Sequence, residues 1–344
     1  MPENSERDRF ASAIRRDVPR RPGVYLFYDR SGRPIYIGKS VNLRERMLSY
    51  FRPNGAGLED RTREMVFSIH DFSCCETESE LLALLLEDTL IKRELPIYNI
   101  RQQEYGGYCY VRLTGDAYPT CKIAGQRDNN TGAIYGPFHD EHIAEDIVAY
   151  VNRHFRLRSC RSPEPFRKCL EFDLGTCAGP CRGRISIDEY GSMVAHAVTF
   201  LEGGGDWLEQ RLEEEIAICS NSENYRRAAE LKEQLGFCRR FCARQRFIHR
   251  FRTGLLSITE PGSESRSYSF DRGNLVGVTR NGAGAIGAVG IPDELLERQT
   301  DDRFLLDRAN LVYVWLNGNR SASSAYGVPE QVNPDRSPAK RPIT

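Results

Sequence analysis

Three tyrosines and two cations near the start of the chain have the side-chain chemistry to act together on a phosphodiester. Tyr25 and Tyr36 lie in two runs of strand-forming residues, and Tyr50 follows in a segment with helical spacing. Lys39 and Arg46 lie between them in the chain. Cations can hold a phosphate, and a phenol can relay a proton at it. The residue types alone leave open the alternative that these tyrosines are simply packed in a hairpin and a helix.

A hairpin and a helix are predicted to position these side chains. Residues 23–27 and 35–37 favour strands, and turn residues separate them. Side chains alternate along a strand, so if the aliphatic residues of both strands share the core, Tyr25 and Tyr36 share the outward face. Gly38 ends the second strand without a side chain, so a ligand can approach the backbone. Arg46 and Tyr50 lie four residues apart on one face of the helix.

A leucine-rich segment at 76–99 predicts a buried helix that ends at Pro96. Glu87 lies at the end of the leucine run, on the same face as Leu84 and Ile91. A carboxylate in that place is costly unless it is paired or binds a metal. The alternative is a surface glutamate beyond the edge of the core.

Four cysteines are spaced so that they could surround one ion or cluster. They are Cys160, Cys169, Cys177 and Cys181. The chain has 11 cysteines, an odd number, and no secretion signal, so metal ligation is a better interpretation than disulfides. The spacing is not that of a zinc ribbon, and it leaves zinc and iron–sulfur both open. The other seven cysteines are predicted to be core or surface thiols.

The charge distribution is local rather than global. The formal net charge is zero, which argues against a generally basic nucleic-acid binder, but residues 33–63, 153–184 and 239–252 are basic. Arg156 and Arg158, beside the cysteines, are candidate phosphate contacts. No apolar run reaches transmembrane length, and the amino terminus is polar, so we expect a cytoplasmic protein without membrane contact.

The second half of the chain is predicted to contain a helical hairpin and a small domain. Residues 205–243 form two amphipathic helices, and such a hairpin seeks a partner because it is too small to bury its own face. The alternative is a hairpin packed on its own chain. Residues 310–316 are a strand candidate, and residues 319–344 are predicted to be disordered.

Several of these motifs occur together, in order, in one known family. GVY, YIG eleven residues later, a lysine and an R-x-x-x-Y helix resemble the GIY-YIG nucleases. The wider stretch, the sequence IYGPF at 134–138 and the cysteines resemble the amino-terminal half of UvrC and Cho-like excinuclease subunits. The resemblance is good over residues 20–185 and moderate over 205–243. It implies an α+β fold, with a three-stranded, mostly antiparallel sheet flanked by helices, then a Cys-rich module and a helical hairpin.

The resemblance also implies an activity: a metal-dependent DNA endonuclease that makes the 3′-side incision near a lesion in nucleotide excision repair. Glu87 would bind one Mg²⁺ or Mn²⁺, and Asn99 would order the site. Tyr25 or Tyr36 would be the general base. The remaining implied roles are Lys39 favouring a phenolate, Arg46 stabilising charge, Tyr50 contacting a phosphate, Gly38 and Arg44 contacting DNA, and the four cysteines holding a [4Fe–4S] cluster.

Partners, domains and alternatives complete the prediction. The partners would be damaged double-stranded DNA and, through residues 205–243, a UvrB-like protein. Two other functions stay open: a non-catalytic adaptor, and a free-standing endonuclease independent of UvrB. The family usually carries an Asp-Asp-Lys-Ser-type segment where this chain has residues 104–107, and no second nuclease is recognised, so one incision is expected. The predicted domains are 18–103 (nuclease), 104–200 (strands and Cys-rich module), 203–245 (hairpin), 250–318 (small domain) and 319–344 (tail).

Overall fold

The structure, a computed structural model, describes residues 4–52, 59–99, 109–124, 132–138, 141–161, 169–260, 265–282, 285–288 and 290–318. Two predictions lie outside these residues: the departure at residues 104–107 and the disordered tail at 319–344. The described residues divide into two compact units. One joins those of Met1–Gly107 to those of His249–Val312, and the other joins those of Tyr108–Ile248 to those of Tyr313–Thr344. The domain boundaries drawn from the sequence stay a prediction.

The first unit opens with an α+β arrangement around a three-stranded antiparallel sheet in the order β2-β1-β3. Its amino-terminal elements are α1 (Asn4–Asp17), β1 (Gly23–Tyr28), β2 (Pro34–Ser40), α2 (Leu43–Tyr50), α3 (Asp60–Ser68), β3 (Asp71–Glu76) and α4 (Glu80–Glu94). The predicted hairpin is therefore confirmed, as is the helix at 43–50. The predicted fold class, α+β with a three-stranded antiparallel sheet and flanking helices, is also confirmed.

The helix α4 begins four residues later than the sequence pattern suggested. Glu76 belongs to β3, and the helix starts after Ser79, whose hydroxyl accepts a hydrogen bond from the Leu82 N–H at 3.2 Å. Such a cap satisfies one of the free amides of the first turn. At the other end Leu95 adopts a left-handed φ of 49°, and Pro96 follows, so the helix stops there.

The carboxy-terminal part of the first unit packs on α4. Its elements are a four-stranded sheet, β7 (Leu255–Thr259), β8 (Ser265–Asp271), β9 (Asn274–Gly282) and β10 (Ala285–Ala288), then α10 (Asp293–Leu296) and the start of α11 (Asp302–Gly318). The predicted strand at 310–316 is wrong, since those residues continue α11. Its β-branched and aromatic residues favour strands only weakly, and helical packing of Phe304, Ala309 and Val312 in the core prevails.

A buried charge network joins α11 to α4. Lys92 lies 2.8 Å from Asp88 and 3.1 Å from Asp307, and its side chain is only 6% exposed. Lys92 also lies over the Phe304 ring, at 4.7 Å from the ring centroid. Next to it, the buried Arg308 donates to the Thr89 hydroxyl at 3.1 Å. The helix α4, which carries Glu87, is therefore held by Asp307 and Arg308 of α11.

We expect Lys92→Met to destabilise the first unit by about 3 kcal/mol, because it leaves the buried Asp88 and the partly buried Asp307 without their cation. Arg93→Met is the matched control, since Arg93 is next in the chain and its pair with Glu94 is exposed. It should cost less than about 1 kcal/mol. Urea unfolding followed by circular dichroism measures both. Equal unfolding midpoints for the two variants would show that the network adds no stability.

The second unit combines a small sheet with a helical layer. Its elements are β4 (Cys109–Thr114), β5 (Cys121–Ala124), β6 (Gly132–Phe138), α5 (Glu141–His154), α6 (Leu170–Asp173), α7 (Ile187–Leu201), α8 (Asp206–Asn221) and most of α9 (Tyr225–Thr253). The sheet is antiparallel in the order β5-β4-β6. The helical hairpin predicted over 205–243 is present as α8 and α9. No helix among the described residues combines the length and the apolar character needed to cross a membrane.

Candidate active site and cysteine module

Three tyrosines from β1, β2 and α2 meet on one face of the first sheet. The ring centroids of Tyr25, Tyr36 and Tyr50 lie 6.1 to 6.2 Å from one another. The hydroxyls of Tyr25 and Tyr50 are hydrogen-bonded at 2.8 Å. The Arg46 guanidinium lies over the Tyr50 ring, 5.1 Å from its centroid. Of the five groups predicted to converge, the three phenols and the Arg46 guanidinium do so, and the Lys39 ammonium does not.

The expected outward orientation of both phenols is wrong for Tyr25. That side chain is fully buried, in a cluster with Met47 and Tyr50 of α2 and with Phe51, which follows the helix. Burial raises the pKa of Tyr25 well above its ordinary value, and the neighbouring phenols raise it further. Burial likewise raises the pKa of Tyr50. Tyr25 therefore holds its proton firmly, and it orders Tyr50 rather than facing solvent.

Gly38 accommodates this packing. It pairs with Tyr25 across the two strands, and a Cβ at Gly38 would lie 2.4 Å from the Tyr25 hydroxyl oxygen. The sequence pattern suggested that this glycine admits a ligand to the backbone. The structure shows that it admits the Tyr25 ring, which passes over the strand at this position.

A cavity of about 340 Å³ opens beside the tyrosines. Tyr36, Arg46 and Tyr50 form one wall, and α3 and the segment after α4 form the other. Its lining residues are Tyr36, Arg46, Ser49, Tyr50, Glu59, Arg61, Thr62, Met65 and Tyr98. Tyr25 is not among them. Of the two tyrosines proposed as a base, Tyr36 is the one that a substrate in this cavity would meet.

Glu87 reaches the same strand from α4. Its Oε1 accepts a hydrogen bond from the Lys39 backbone N–H at 2.9 Å, and the side chain is buried. Burial raises the pKa of Glu87 to about 7, although that N–H and the charges of Lys39 and Arg46 lower it. The negative charge of Asp88, the next residue, raises the pKa of Glu87. A carboxylate oxygen is the type of ligand that a small hard cation prefers, so Glu87 fits that role by its chemistry.

Lys39 has a different neighbour from the one expected. Its ammonium lies 3.1 Å from Glu80 Oε1, on the face of β2 opposite Tyr36. Arg46, by contrast, lowers the pKa of both Tyr25 and Tyr50 by its charge, against the larger effect of burial. The structure therefore does not support Lys39 as the cation that favours a phenolate, and Arg46 is the cation that lies against the phenols.

Asn99 fixes the edge of β2 between Tyr36 and Gly38. Its Oδ1 accepts from the Ile37 N–H at 2.9 Å, and its Nδ2 donates to the Ile37 carbonyl at 2.8 Å. One side chain thus satisfies both backbone groups of an edge residue, as a neighbouring strand would. This agrees with an ordering role for Asn99. Arg44 is half-buried, and its guanidinium donates to the carbonyl of Val18, the residue after α1, at 2.6 Å. Its side chain therefore does not project freely into solvent.

Three of the four cysteines affect the fourth, Cys177, by their charge. The charges of Cys160, Cys169 and Cys181 each raise the pKa of the Cys177 thiol, which burial raises most. Cys177 is buried, and its sulfur accepts a hydrogen bond from the Gly179 N–H at 3.4 Å. Among the residues that the structure describes, no three His, Cys, Asp or Glu side chains are grouped closely enough to hold an ion as they stand. The thiols are gathered without forming a closed ligand set.

Arg158 is a structural residue rather than a DNA contact. It is 1% exposed, and its guanidinium donates to the carbonyls of Tyr118 and Cys160 and to the Asp116 carboxylate, at 2.5 to 2.6 Å. Its backbone N–H donates to the Tyr190 hydroxyl at 2.8 Å. The DNA-binding prediction for Arg158 is therefore wrong, because a basic residue was read from sequence without its burial. Arg156 is exposed and remains a candidate contact.

We expect Arg158→Gln to destabilise the second unit by about 2–3 kcal/mol, since several buried carbonyls lose a charged donor. Arg156→Gln should change its stability by less than about 0.5 kcal/mol. Denaturant unfolding gives the stability, and fluorescence anisotropy with duplex DNA gives the affinity. A variant Arg158→Gln with weaker DNA binding but unchanged stability would contradict the structural role.

Comparison with known proteins agrees with the sequence motifs. The profile of the UvrC-like GIY-YIG domain matches residues 21–100, and that of the UvrC/Cho excinuclease middle domain matches residues 108–200. UvrABC system protein C of Carboxydothermus hydrogenoformans is 36% identical over 235 residues, which are 67% of this chain and 38% of the relative. The corresponding protein of Methanospirillum hungatei is 34% identical over 229 residues, 66% of this chain and 44% of the relative. The chain spans less than half the length of these relatives.

One of the similar solved structures is the GIY-YIG N-terminal endonuclease domain of UvrC from Thermotoga maritima bound to its catalytic divalent cation, magnesium. It is 32% identical, and the match covers 27% of this chain and 97% of that domain, with a TM-score of 0.24.

Proposed function

The chain belongs to the UvrC family of GIY-YIG proteins, and on that premise we propose that it is a metal-dependent DNA endonuclease that makes the 3′-side incision near a lesion in nucleotide excision repair. The observation that carries the proposal is the cavity beside the tyrosines. It presents Tyr36 and Arg46 to a substrate, and Glu87 lies at the same strand, bonded to the Lys39 N–H at 2.9 Å.

Glu87 is the proposed ligand of one Mg²⁺ or Mn²⁺. Oε1 accepts a hydrogen bond from the Lys39 backbone N–H, and a carboxylate oxygen is the type of ligand that a small hard cation prefers. When bound, such an ion neutralises charge on the scissile phosphate and on the leaving oxygen. Asp88 is turned to the Lys92 network, so it is committed to the fold.

Tyr36 is the proposed general base, and Arg46 is the proposed electrophilic partner. Tyr36 lines the cavity together with Arg46 and Tyr50, and there it can take a proton from an attacking water. Arg46 is close enough to the phenols to favour a phenolate, and its planar fork suits a phosphate in which charge is developing. Tyr25 orients Tyr50 by their hydrogen bond, Tyr50 contacts a phosphate oxygen, and Asn99 fixes the strand.

We propose that Cys160, Cys169, Cys177 and Cys181 hold a [4Fe–4S] cluster, with zinc as the alternative. Four thiols, of which three raise the pKa of Cys177 by their charge, supply a donor set of the right number and softness. Anaerobically purified protein is then brown, with a broad absorbance at the violet end of the spectrum that Cys181→Ser removes and Cys219→Ser leaves. Colourless protein with stoichiometric zinc would exclude the iron–sulfur assignment.

The proposed partners are damaged duplex DNA and a UvrB-like protein. The inner stripes of the hairpin, which include Leu208, Leu212, Leu231 and Leu235, are buried in the core of the second unit. A partner would therefore meet the outer side of the hairpin, where Ile218 and Tyr225 are both 67% exposed near its tip. Of the basic run, Arg239 already pairs with Glu209 and Glu213, so it is a weaker candidate for DNA.

Nicking of a lesion-bearing duplex in Mg²⁺, with and without a UvrB-like partner, tests the proposal against its alternatives. The proposal predicts incision that requires the partner. Partner-independent cutting would indicate a free-standing endonuclease. Binding of the DNA–partner complex without any incision would indicate a non-catalytic adaptor, and would overturn the proposed activity.

A further inference from the structure

The far wall of the active-site cavity carries a second guanidinium that none of the proposed roles uses. Arg61 lies in the first turn of α3, faces the cavity that Tyr36 and Arg46 line, and is exposed. The cavity volume of about 340 Å³ lies within the range of ligand sites, about 300–1,000 Å³. One phosphate group does not fill such a space, so there is room for the neighbouring part of a strand.

Arg61 is only loosely held by the protein itself. Within the part of the chain that the structure describes, its one hydrogen bond runs from Nη2 to the Ile97 carbonyl at 3.4 Å. That is a long hydrogen bond at an exposed position. Arg61 has no carboxylate partner among the residues that the structure describes. Arg63, two residues on, differs: it pairs with Asp60 at 2.7 Å and does not line the cavity.

The two guanidiniums face the cavity from different elements. Arg46 lies on α2, against the phenol rings, where it serves the phosphate that reacts. Arg61 is on α3, across the cavity, beside Tyr98, whose backbone N–H donates to the Ile35 carbonyl of β2 at 3.1 Å. A strand that places one phosphate at Arg46 runs its backbone across this space. Guanidinium groups bind phosphate oxygens through charge-assisted hydrogen bonds.

We infer that Arg61 is a substrate-positioning residue that holds the phosphate next to the scissile phosphate. The inference rests on the proposed function, since it needs a DNA strand in the cavity. Arg61 sets where along the strand the cut falls, and it contributes to binding rather than to the chemical step. The positive charge that Arg61 offers to DNA is a local feature of this cavity. It is therefore compatible with a formal net charge of zero for the whole chain.

Substitution of single phosphates in the DNA tests this directly. Neutral methylphosphonates replace, one at a time, the phosphates that flank the cleavage position, and single-turnover nicking is measured with the full chain, the partner and Mg²⁺. For wild type, one flanking substitution slows nicking at subsaturating protein roughly tenfold. Arg61→Gln slows nicking of ordinary DNA by a similar factor, and the same methylphosphonate then slows it no further.

Three comparisons make the result specific. Arg61→Lys recovers part of the loss, because it keeps the charge without the fork. Arg63→Gln behaves as wild type. DNA binding is measured without cutting in a Glu87→Gln background. In that background, Arg61→Gln makes the fall of log affinity with log salt concentration less steep, by about one unit of slope.

The outcomes separate the inference from the function on which it rests. If wild type nicks normally while Arg61→Gln nicks equally well and stays sensitive to every flanking methylphosphonate, the inference is wrong and the proposed function stands. If Arg61→Gln loses stability, with no selective change at any one phosphate, Arg61 only ties α3 to the Ile97 carbonyl, and the inference is also wrong. A wild-type protein that never nicks overturns both.

Discussion

Glu87→Gln is expected to slow incision by roughly a thousandfold or more, with DNA affinity little changed. The amide keeps the size of the side chain and can still accept the Lys39 N–H through its oxygen, but it loses the negative charge that would hold a divalent cation. A bound metal supplies several kcal/mol to the transition state, and each 1.36 kcal/mol is tenfold in rate. Single-turnover nicking in Mg²⁺ measures the change.

Glu94→Gln is the matched control, because Glu94 lies on the same helix with an exposed partner, Arg93. It should nick at the wild-type rate. Mn²⁺ binding followed by electron paramagnetic resonance should weaken in Glu87→Gln and not in Glu94→Gln. Retention of both Mn²⁺ binding and nicking by Glu87→Gln would remove its metal role.

Tyr36→Phe should reduce the rate of incision by about 10²–10⁴-fold, the usual contribution of a general base. The phenylalanine keeps the ring packing against Tyr25 and Tyr50 and removes only the hydroxyl that faces the cavity. Tyr25→Phe should cost much less, about tenfold. It loses the hydrogen bond to Tyr50, worth about 1 kcal/mol, but no group that meets the substrate.

The order of these two effects is the informative quantity. The rates are compared at saturating DNA, so that binding does not contribute. A larger loss in Tyr25→Phe than in Tyr36→Phe, with folding intact in both, would transfer the base to the buried tyrosine and contradict its firmly held proton.

The sequence was sufficient for the parts of the site that depend on local periodicity. Alternation along β1 and β2 places Tyr25 and Tyr36 on one face, and the four-residue spacing places Arg46 beside Tyr50. Which face of the sheet is covered depends on tertiary packing. Met47 and Tyr50 of α2, and Phe51 directly after it, pack in one cluster with Tyr25, and no strand pattern contains that information.

Charged residues were the least predictable part. Lys39 is three residues from Tyr36 in the chain, but strand alternation turns its ammonium away, to Glu80. Arg158 belongs to a basic run, but its side chain is buried and donates to Asp116 and to the carbonyls of Tyr118 and Cys160. Arg61 had no motif to mark it, and only the cavity formed by α2, α3 and β2 identifies it. Each outcome depends on contacts between residues far apart in sequence.

The most direct test of the central claim is to map the ends of the nick to single-nucleotide resolution on a duplex with one lesion. The reaction contains the full chain, a UvrB-like partner and Mg²⁺, and Glu87→Gln is run beside wild type. One hydrolytic centre with Tyr36, Arg46 and Glu87 predicts a single cut on the 3′ side of the lesion by wild type and none by the variant. A cut only on the 5′ side, or the same cut from both proteins, would contradict it.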